Sequence, residues 1–373
     1  MIKRAERLFV ELERAILSGE YGKSGEAFVT VRGLAKEKRC SLHCAAEVFS
    51  LLLKERLIYR AKNRFFITFG ICTRESPLGR YLSDCGGRRL FGVMAGDAAN
   101  PFFSSLIDHL QKVALSKGSE LIVAYGGGDA EREAQILDTF LDLKCSGGFS
   151  CVPISADGRK LFERYPLPIV MLAEESTVDT VDAVLVDNFS AGMQVSRHLM
   201  GMGCRSFCYI TEDSYIKTDL RLQGFRIGLN NCGFDLPDES VAVISAQNGD
   251  ERAREISRFV SEILKSSEKD RTRLPIGIFC VHDLIAVEVL KAAKRRMAAV
   301  PRDVMVVGFD DLPISKLFSP RLTTVSYRYG ELAQKAYEAM TYRISSPSKK
   351  ACRYEIGSSL IVRQTTSPSG ENH

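Results

Sequence analysis

Basic side chains are concentrated in the first seventy residues of the 373-residue chain. Residues 1–70 contain 14 Lys and Arg against 8 Asp and Glu, whereas the whole chain has a net charge of only +5, so the remainder carries about −1. Duplex DNA is a dense line of phosphates, and a protein that binds it needs cations gathered in one region. The charge distribution therefore predicts a nucleic-acid-binding domain at the front of the chain.

Four side chains in this segment have the chemistry to read a DNA sequence. Lys, Arg and backbone amides contact phosphates, whereas specificity requires a few side chains on a helix that enters the major groove. The candidates are Arg32, Ser41, His43 and Glu47. The alternative interpretation is that they are ordinary solvated residues without a role in binding.

Neither a metal nor a cofactor site is predicted. Cys40, His43 and Cys44 are close in sequence, but structural zinc takes four ligands and no second Cys/His cluster follows nearby. The glycines at 126–128 lack the Lys-Ser/Thr of a phosphate-binding loop and the spacing of a dinucleotide fingerprint, so we interpret them as a turn. The 11 cysteines show no paired spacing, and several lie in apolar runs, which indicates reduced, packed thiols.

Three helices and a hairpin are predicted to position the DNA candidates. Apolar residues recur at helical spacing in residues 8–17, and a second short helix is predicted over 32–39. Ser41 is the predicted N-cap of a third helix. Two strands at 57–59 and 65–69 then flank a basic turn. This order is typical of a winged helix-turn-helix.

The predicted fold class is α/β, with the winged helix followed by two parallel, doubly wound sheets. After residue 90, short apolar strands alternate with amphipathic helices, which is typical of sheets covered on both faces. About 275 residues are too many for one open sheet, so we expect two lobes with a ligand cleft between them at the carboxyl ends of the strands. The predicted limits are 1–69 for the winged helix, 70–89 for a linker, 90–365 for the lobes with crossings near 185–187 and 323–327, and 366–373 for a disordered tail.

Ordered motifs along the second part resemble the sensor of LacI/GalR repressors, which is itself similar to periplasmic sugar-binding proteins. They are LFGVMAGDAANPFFSSLIDHL at 90–110, VDNFSAGMQVSRHLMGMGCRSFCYI at 186–210, RLQGFRIGL at 221–229, IFCVHDLIAVEVL at 278–290 and VPRDVMVVGFDDLPISKLFSPRLTTV at 300–325. The resemblance implies a two-lobed, ligand-binding sensor and a dimer.

The front segment resembles a different family, the GntR winged helix. The motifs are ILSGEY at 16–21, the arginine at 32 and LLLKERLIYR at 51–60. The combination resembles regulators of the arabinose-repressor type. It implies that Arg32 and the start of the third helix contact DNA, and that the wing tip, here Lys62 and Arg64, approaches the minor groove.

The LacI/GalR resemblance also implies a set of effector contacts. Arg221 would donate two hydrogen bonds to the effector and Asp310 would accept from it. The other implied contacts are Phe102 on the wall of the first lobe, His282, Tyr327 and Tyr329. For Asp187 and Asp283, we favour helix capping over direct ligand contact.

These observations together predict a cytoplasmic transcription regulator, most often a repressor in the resembled families. Its partners would be a double-stranded DNA operator, a small effector for which a carbohydrate is favoured, and a second copy of the chain in a homodimer. No apolar run of about 18 residues is present, and the charged residues 1–13 do not resemble a signal peptide, so no membrane association is expected.

Three alternatives stay open at this point. An extracytoplasmic solute-binding protein would share the sensor motifs but would not need the basic front segment. An enzyme on a Rossmann-like fold is disfavoured, because neither a nucleophile elbow nor a dinucleotide fingerprint is present. A regulator whose sensor has lost its ligand, whose effector is not a sugar, or which senses a protein partner, would share every feature described above.

Overall fold

A computed structural model describes residues 4–17, 20–22, 26–55, 57–61, 64–67, 89–96, 100–126, 130–143, 145–152, 167–173, 181–212, 219–246, 248–346 and 349–367. Lys62, nearly all of the predicted linker and most of the predicted tail lie outside these ranges. The chain divides into two compact units. Unit 1 contains Met1–Phe103, Ile107–Val184 and Gln334–Arg353, and unit 2 contains Ser104–Leu106, Leu185–Ala333 and Tyr354–His373. No helix in the described ranges is long and apolar enough to span a bilayer.

The N-terminal segment contains three helices and a three-stranded antiparallel sheet. Its elements are α1 (Arg4–Leu17), β1 (Ala27–Phe28), α2 (Val31–Glu37), α3 (Leu42–Lys54), β2 (Ile58–Ala61) and β3 (Arg64–Ile67), with sheet order β1-β3-β2. Polar caps start two of the helices, because Thr30 Oγ1 accepts from the Gly33 amide at 3.0 Å and Ser41 Oγ accepts from the Cys44 amide at 3.1 Å. The predicted helices and hairpin, including the Ser41 cap, are present.

One apolar cluster holds this segment together. Leu12, Leu34 and Leu52, one from each helix, are fully buried in it. The ring of Phe49 packs edge-on against Phe65 of β3, with centroids 4.7 Å apart, so the hairpin is attached to the helices. Each fully buried apolar side chain contributes about 1.5–3 kcal/mol, so this cluster is a main source of stability for the segment.

The first six-stranded sheet lies mainly in unit 1. Its elements and their helices are β4 (Arg89–Ala95), α4 (Pro101–Ser116), β5 (Ser119–Tyr125), α5 (Ala130–Asp142), β6 (Gly147–Ser150), β7 (Ile169–Leu172), β8 (Asp182–Val186) and β14 (Arg353–Ile356). The strand order is β14-β8-β7-β6-β4-β5, and the pairs from β8 to β5 are parallel.

The second six-stranded sheet lies in unit 2. Its elements and those that follow it are α6 (Asn188–Gly201), β9 (Ser206–Glu212), α7 (Leu220–Asn230), β10 (Val241–Ile244), α8 (Gly249–Lys269), β11 (Ile276–Cys280), α9 (Asp283–Arg295), β12 (Val304–Phe309), α10 (Pro313–Leu317), β13 (Thr323–Ser326), α11 (Tyr329–Ser345) and β15 (Ser359–Ile361). The order is β10-β9-β11-β12-β13-β15, and only the β13–β15 pair is antiparallel. Two parallel sheets with alternating helices confirm the predicted α/β fold of the sensor.

Helices α6 and α7 approach each other closely through glycines. A Cβ atom on Gly192 would lie 2.2 Å from the carbonyl oxygen of Arg221, and a Cβ atom on Gly224 would lie 2.0 Å from that of Phe189. No larger residue fits at these positions without moving a backbone. The glycines therefore fix the start of α7, where Arg221 lies, against the start of α6.

A buried ion pair links two elements of unit 1. Arg343 of α11 donates through Nε and Nη2 to the carboxylate of Asp182 at 2.7 and 2.8 Å, and the Cys352 amide donates to the same carboxylate at 2.7 Å. Three hydrogen bonds compensate the burial of this carboxylate.

Candidate functional site

Three polar side chains follow neighbouring strands of the second sheet. Glu212 ends β9, His282 comes two residues after β11, and Asp310 directly follows β12. The strands β9, β11 and β12 are parallel and adjacent, so their carboxyl ends meet at one edge. In sheets of this kind, ligands bind at that edge.

Arg221 extends its guanidinium into this edge of unit 2. Its side chain is buried, Nε donates to Asn188 Oδ1 at 3.1 Å, Nη1 donates to the Val281 carbonyl, and Nη2 donates to the Tyr327 hydroxyl. The guanidinium lies 3.8 Å from the centroid of the Phe309 ring, in a cation–π contact. A cation at the start of a helix is disfavoured by the helix dipole, and these acceptors compensate for it.

Asp219 holds the start of α7 in place. One carboxylate oxygen accepts from the amides of Arg221 and Leu222 at 3.0 and 3.1 Å, which caps the helix. The other oxygen accepts from the hydroxyls of Tyr209 at 2.7 Å and Thr211 at 3.1 Å, both on β9. Asp219 was missed from the sequence, although Asp before a helical segment is a recognisable N-cap signal.

Asp310 is a buried carboxylate on a strained backbone. Its φ of 104° lies in a region that residues with side chains rarely occupy, and such strain is concentrated at functional sites. Burial raises the pKa of Asp310 to about 6, although Arg221, His282 and a hydrogen bond from Tyr327 act in the opposite direction. Tyr327 therefore contacts both Arg221 and Asp310. Tyr329 supports the same turn by donating to the Asp310 carbonyl at 2.9 Å.

His282 lies in a second charged group at this edge. Its Nδ1 accepts from the Ile285 amide at 3.3 Å and so caps α9, which leaves Nε2 to face Glu212 Oε2 at 3.3 Å. Glu212 also pairs with Arg252 of α8 at 3.3 Å. The hydrogen bond from His282 and the charge of Arg252 lower the pKa of Glu212. Glu212 and Arg252 were not predicted, since no local pattern connects them to His282.

The two aspartates predicted to be helix caps differ in the structure. Asp187 caps α6 by accepting from the Ser190 amide at 2.8 Å, as predicted. The capping prediction for Asp283 was wrong, because His282 occupies the cap position and Asp283 lies inside the helix, fully buried. Asp283 accepts from the Leu312 amide at 2.7 Å and from Thr324 Oγ1 at 2.5 Å, and burial raises its pKa. It therefore supports the turn that follows β12.

Phe102 belongs to unit 1, in the first turn of α4. Its amide donates to Asn100 Oδ1 at 3.0 Å, and its ring packs edge-on against Phe103 with centroids 5.2 Å apart. A contact between Phe102 and an effector stays a prediction.

The DNA candidates in the N-terminal segment are exposed. Arg32 lies in α2, His43 and Glu47 lie in α3, and Arg64 begins β3. Ser41 uses its hydroxyl as the cap of α3. Within the described ranges, no group of three or more His, Cys, Asp or Glu side chains is arranged to hold a metal ion. DNA contact by these residues stays a prediction, and Lys62 lies outside the described residues.

Residues 196–366 match the family model of the periplasmic binding protein-like domain. The HTH-type transcriptional regulator DegA of Bacillus subtilis (strain 168) is 24% identical over 287 residues, which are 75% of this chain and 81% of that protein. The ribose operon repressor of Escherichia coli (strain K12) is 24% identical over 277 residues, which are 73% of this chain and 80% of the repressor.

A solved structure has the same sensor fold. It is a periplasmic binding protein/LacI transcriptional regulator from Alkaliphilus metalliredigens QYMF complexed with D-xylulofuranose. It superposes with a TM-score of 0.62 at 24% identity and covers 75% of this chain and 99% of that chain. These matches confirm the fold that the motifs imply, and residues 196–366 belong to a periplasmic binding protein-like domain similar to those of LacI-family transcriptional regulators.

Proposed function

We propose that this chain is a DNA-binding transcription regulator, acting as a repressor, whose operator affinity is controlled by a small effector bound beside Arg221 and Asp310. A carbohydrate is the favoured effector. The N-terminal segment is the proposed DNA reader, of the GntR winged-helix type, and the active form is a homodimer. The fold of the sensor and the names of its relatives, a ribose operon repressor among them, support this proposal.

The observation that carries the proposal is that the Arg221 guanidinium and the Asp310 carboxylate are both buried at the edge where parallel strands end, close enough for the charge of Arg221 to act on Asp310. A sugar presents hydroxyl groups that both donate and accept hydrogen bonds. A carboxylate accepts two such bonds and a guanidinium donates in a fixed planar geometry, so the pair can orient a polyol without carrying net charge. The ring of Tyr327, which contacts both residues, adds apolar surface beside them.

The basic N-terminal segment supports the DNA-binding half of the proposal. Its positive charge is not shared by the rest of the chain. The exposed face of α3 carries His43 and Glu47, which would meet base edges, while Arg32 and the hairpin residues Lys62 and Arg64 would meet phosphates and the minor groove. A solute-binding protein would have no use for this segment, which disfavours that alternative.

Control by an effector requires that it bind two states of the dimer with different affinities. We propose that the effector changes how the dimer holds its two N-terminal segments, and with it the fit to an operator of two half-sites.

A thermal-shift screen tests the sensor directly. Neutral mono- and disaccharides, sugar phosphates and nucleobases would be added to the wild-type chain, to Arg221→Ala and to Arg226→Ala. Arg226 lies on the same helix but pairs with exposed Asp238 at 3.0 Å, so it is a matched control. We expect one neutral sugar to raise the melting temperature of wild type and Arg226→Ala, but not of Arg221→Ala.

The same ligand would then be added to the protein bound to the DNA upstream of its own gene. A change in DNA retention with the stabilising sugar supports the full proposal. A shift that persists in Arg221→Ala contradicts the site, and a chain that binds the sugar but no DNA would be a solute-binding protein instead. Turnover of the sugar would indicate an enzyme.

A further inference from the structure

Two consecutive residues of the turn after β12 have left-handed backbones. The φ angles are 104° at Asp310 and 53° at Asp311. Residues with side chains rarely adopt such angles, and a strained turn persists only where the surrounding structure holds it. The Asp310 carboxylate is buried at the proposed effector site, so this turn determines where an effector would find its acceptor.

Hydrogen bonds hold the backbone on both sides of Asp311. The Asp310 amide donates to the Val325 carbonyl of β13 at 2.8 Å, and the Leu312 amide donates to the Asp283 carboxylate at 2.7 Å. The Asp311 amide between them makes a longer bond, of 3.4 Å, to a hydroxyl of β13. Of these three amides, that of Asp311 is held least firmly, so the contacts of its side chain matter most for the turn.

Arg363, two residues after β15, holds the side chain of Asp311. Its Nη2 donates to Asp311 Oδ1 at 2.6 Å, whereas Nη1 donates to Ser315 Oγ at 3.0 Å and to the Leu322 carbonyl at 2.9 Å. The side chains of Arg363 and Asp311 are only 12% and 16% exposed, so solvent screens this ion pair little. Lys316 also approaches Asp311, at 3.5 Å, but 59% of its side chain is exposed. The guanidinium thus ties the turn to α10 and to the residue before β13.

We propose that Arg363 is a positioning residue for effector binding, because its guanidinium holds the Asp311 side chain and so fixes the backbone that presents the Asp310 carboxylate. Arg363 bonds to Asp311 rather than to Asp310, so it acts through the turn and not by contact with the effector. Its planar fork serves three acceptors at once, in a fixed geometry that a lysine cannot reproduce. This inference rests on the proposed function, in which Asp310 accepts hydrogen bonds from the effector.

A double-mutant cycle separates positioning from general stability, with D-ribose as the probe because it is a neutral sugar of the proposed class. Calorimetry would give the D-ribose affinity of the wild type, Arg363→Gln, Asp310→Asn and the double variant. We expect Arg363→Gln to weaken binding about tenfold in the wild type, but less than about twofold where Asp310→Asn has already removed the carboxylate. An arginine that only stabilises the fold would weaken binding equally in both backgrounds, which would overturn the proposal.

Arg302→Gln is the matched control for this cycle. Arg302 forms an ion pair with neighbouring Asp303 at 3.0 Å, just before the start of the same strand β12, so this variant should bind D-ribose like the wild type. Undiminished binding by Arg363→Gln, in a protein where Asp310→Asn weakens binding, would overturn the role of Arg363 alone. Undiminished binding by Asp310→Asn would contradict the proposed function itself.

Crystal structures of the free proteins provide a measurement that needs no sugar. In Arg363→Gln we expect Asp310 to leave its φ of 104° and its carboxylate to move away from the Tyr327 hydroxyl. An Asp310 that keeps both features in the folded variant would overturn the proposal. If glutamine prevents folding, Arg363→Lys replaces it in every measurement. The lysine retains a charge beside Asp311 but loses the fork, so the same changes should be present at a smaller size.

Discussion

The two proposed binding surfaces, the surroundings of Arg221 and the exposed face of α3, are built in opposite ways. Arg221 and Asp310 are buried, and groups from α6, β12 and the residues after β11 and β13 contact the guanidinium. His43 and Glu47 are exposed on one helix, whose start depends on a single cap. Because Arg221 and Asp310 are buried, substitutions at the proposed effector site should also change the stability of the fold, whereas substitutions on the exposed face of α3 should change it little.

The electrostatics of the two regions differ for the same reason. A buried charge must be compensated by partners in the protein, and removing one partner leaves the other unsatisfied. An exposed charge is solvated by water and contributes little to stability. Substitutions should therefore affect folding and binding together beside Arg221, and binding alone on α3.

The largest effect is expected when the position of α7 is disturbed. Gly224→Ala places a Cβ atom 2.0 Å from the Phe189 carbonyl oxygen, so α6 and α7 must separate and Arg221 must leave its acceptors. We expect a loss of about 3 kcal/mol in the free energy of unfolding. Chemical denaturation measures this loss, and thermal shift measures the accompanying loss of effector binding.

Gly201→Ala is the matched control for this substitution. A Cβ atom on Gly201, at the end of α6, would have no heavy atom within 4 Å. Alanine is the better helix former, so this variant should be unchanged or more stable by up to about 1 kcal/mol. If Gly224→Ala were as stable as Gly201→Ala, the close packing of α6 on α7 would not control the position of Arg221.

The next effect is a pH dependence of effector binding. Because the pKa of Asp310 is raised to about 6, this carboxyl becomes protonated below that pH and loses part of its capacity to accept from hydroxyl groups. We expect effector affinity to be constant from pH 7 to 8 and to fall below pH 6, by at most about tenfold per pH unit, towards the lower affinity of the protonated form. Calorimetric titration of the sugar found in the screen measures this profile.

The stability of the free protein provides the control for this profile. A carboxyl whose pKa is raised on folding stabilises the folded state most at low pH, and this contribution is lost as the pH rises through about 6. The contribution of Asp310 to stability and its contribution to binding thus have opposite pH dependences. Constant affinity between pH 5 and 7 would indicate that the Asp310 carboxylate is not an effector contact.

The sequence predicted features that local chemistry determines. The helices, the strands, the Ser41 cap and the Asp187 cap all follow from spacing and residue type within a few positions. The need of Arg221 for an acceptor was also predictable, because a cation at a helix start is locally unfavourable. Its particular partners were not, since Val281 and Tyr327 lie 60 and 106 residues away along the chain.

The features that were missed depend on strand order. Glu212 and His282 meet because β9 and β11 are neighbours, although α7, β10 and α8 separate the two residues in the sequence. The role of Asp283 was misassigned for a related reason. Its carboxylate accepts from the Leu312 amide, in the turn after β12, and from the Thr324 hydroxyl, in β13. Local capping rules cannot anticipate a partner that tertiary structure supplies.

A smaller effect is expected at the cap of α3. Ser41→Ala removes the acceptor for the Cys44 amide, which costs about 1 kcal/mol of stability, whereas Ser41→Asp keeps an acceptor there and should retain stability. If Ser41 only positions α3, DNA retention should follow the stability of these variants. Because the added carboxylate also repels phosphates, the neutral cap Ser41→Asn is the control, and loss of DNA retention in Ser41→Asn with the stability preserved would indicate that the serine itself contacts the operator.

The smallest effect on folding is expected for His43→Ala and Glu47→Ala. These variants also give the sharpest test of the difference between the buried surroundings of Arg221 and the exposed face of α3. Both side chains are exposed, so each substitution should change the free energy of unfolding by less than about 0.5 kcal/mol. Selection of bound sequences from a randomised DNA pool should nevertheless differ between each variant and the wild type, because base contacts determine specificity. Glu55→Ala, at the opposite end of α3, is a control that should select the wild-type sequence. If both variants select the same sequences as the wild type, the exposed face of α3 does not read the operator. A proposed binding role would then remain only for the buried site beside Arg221.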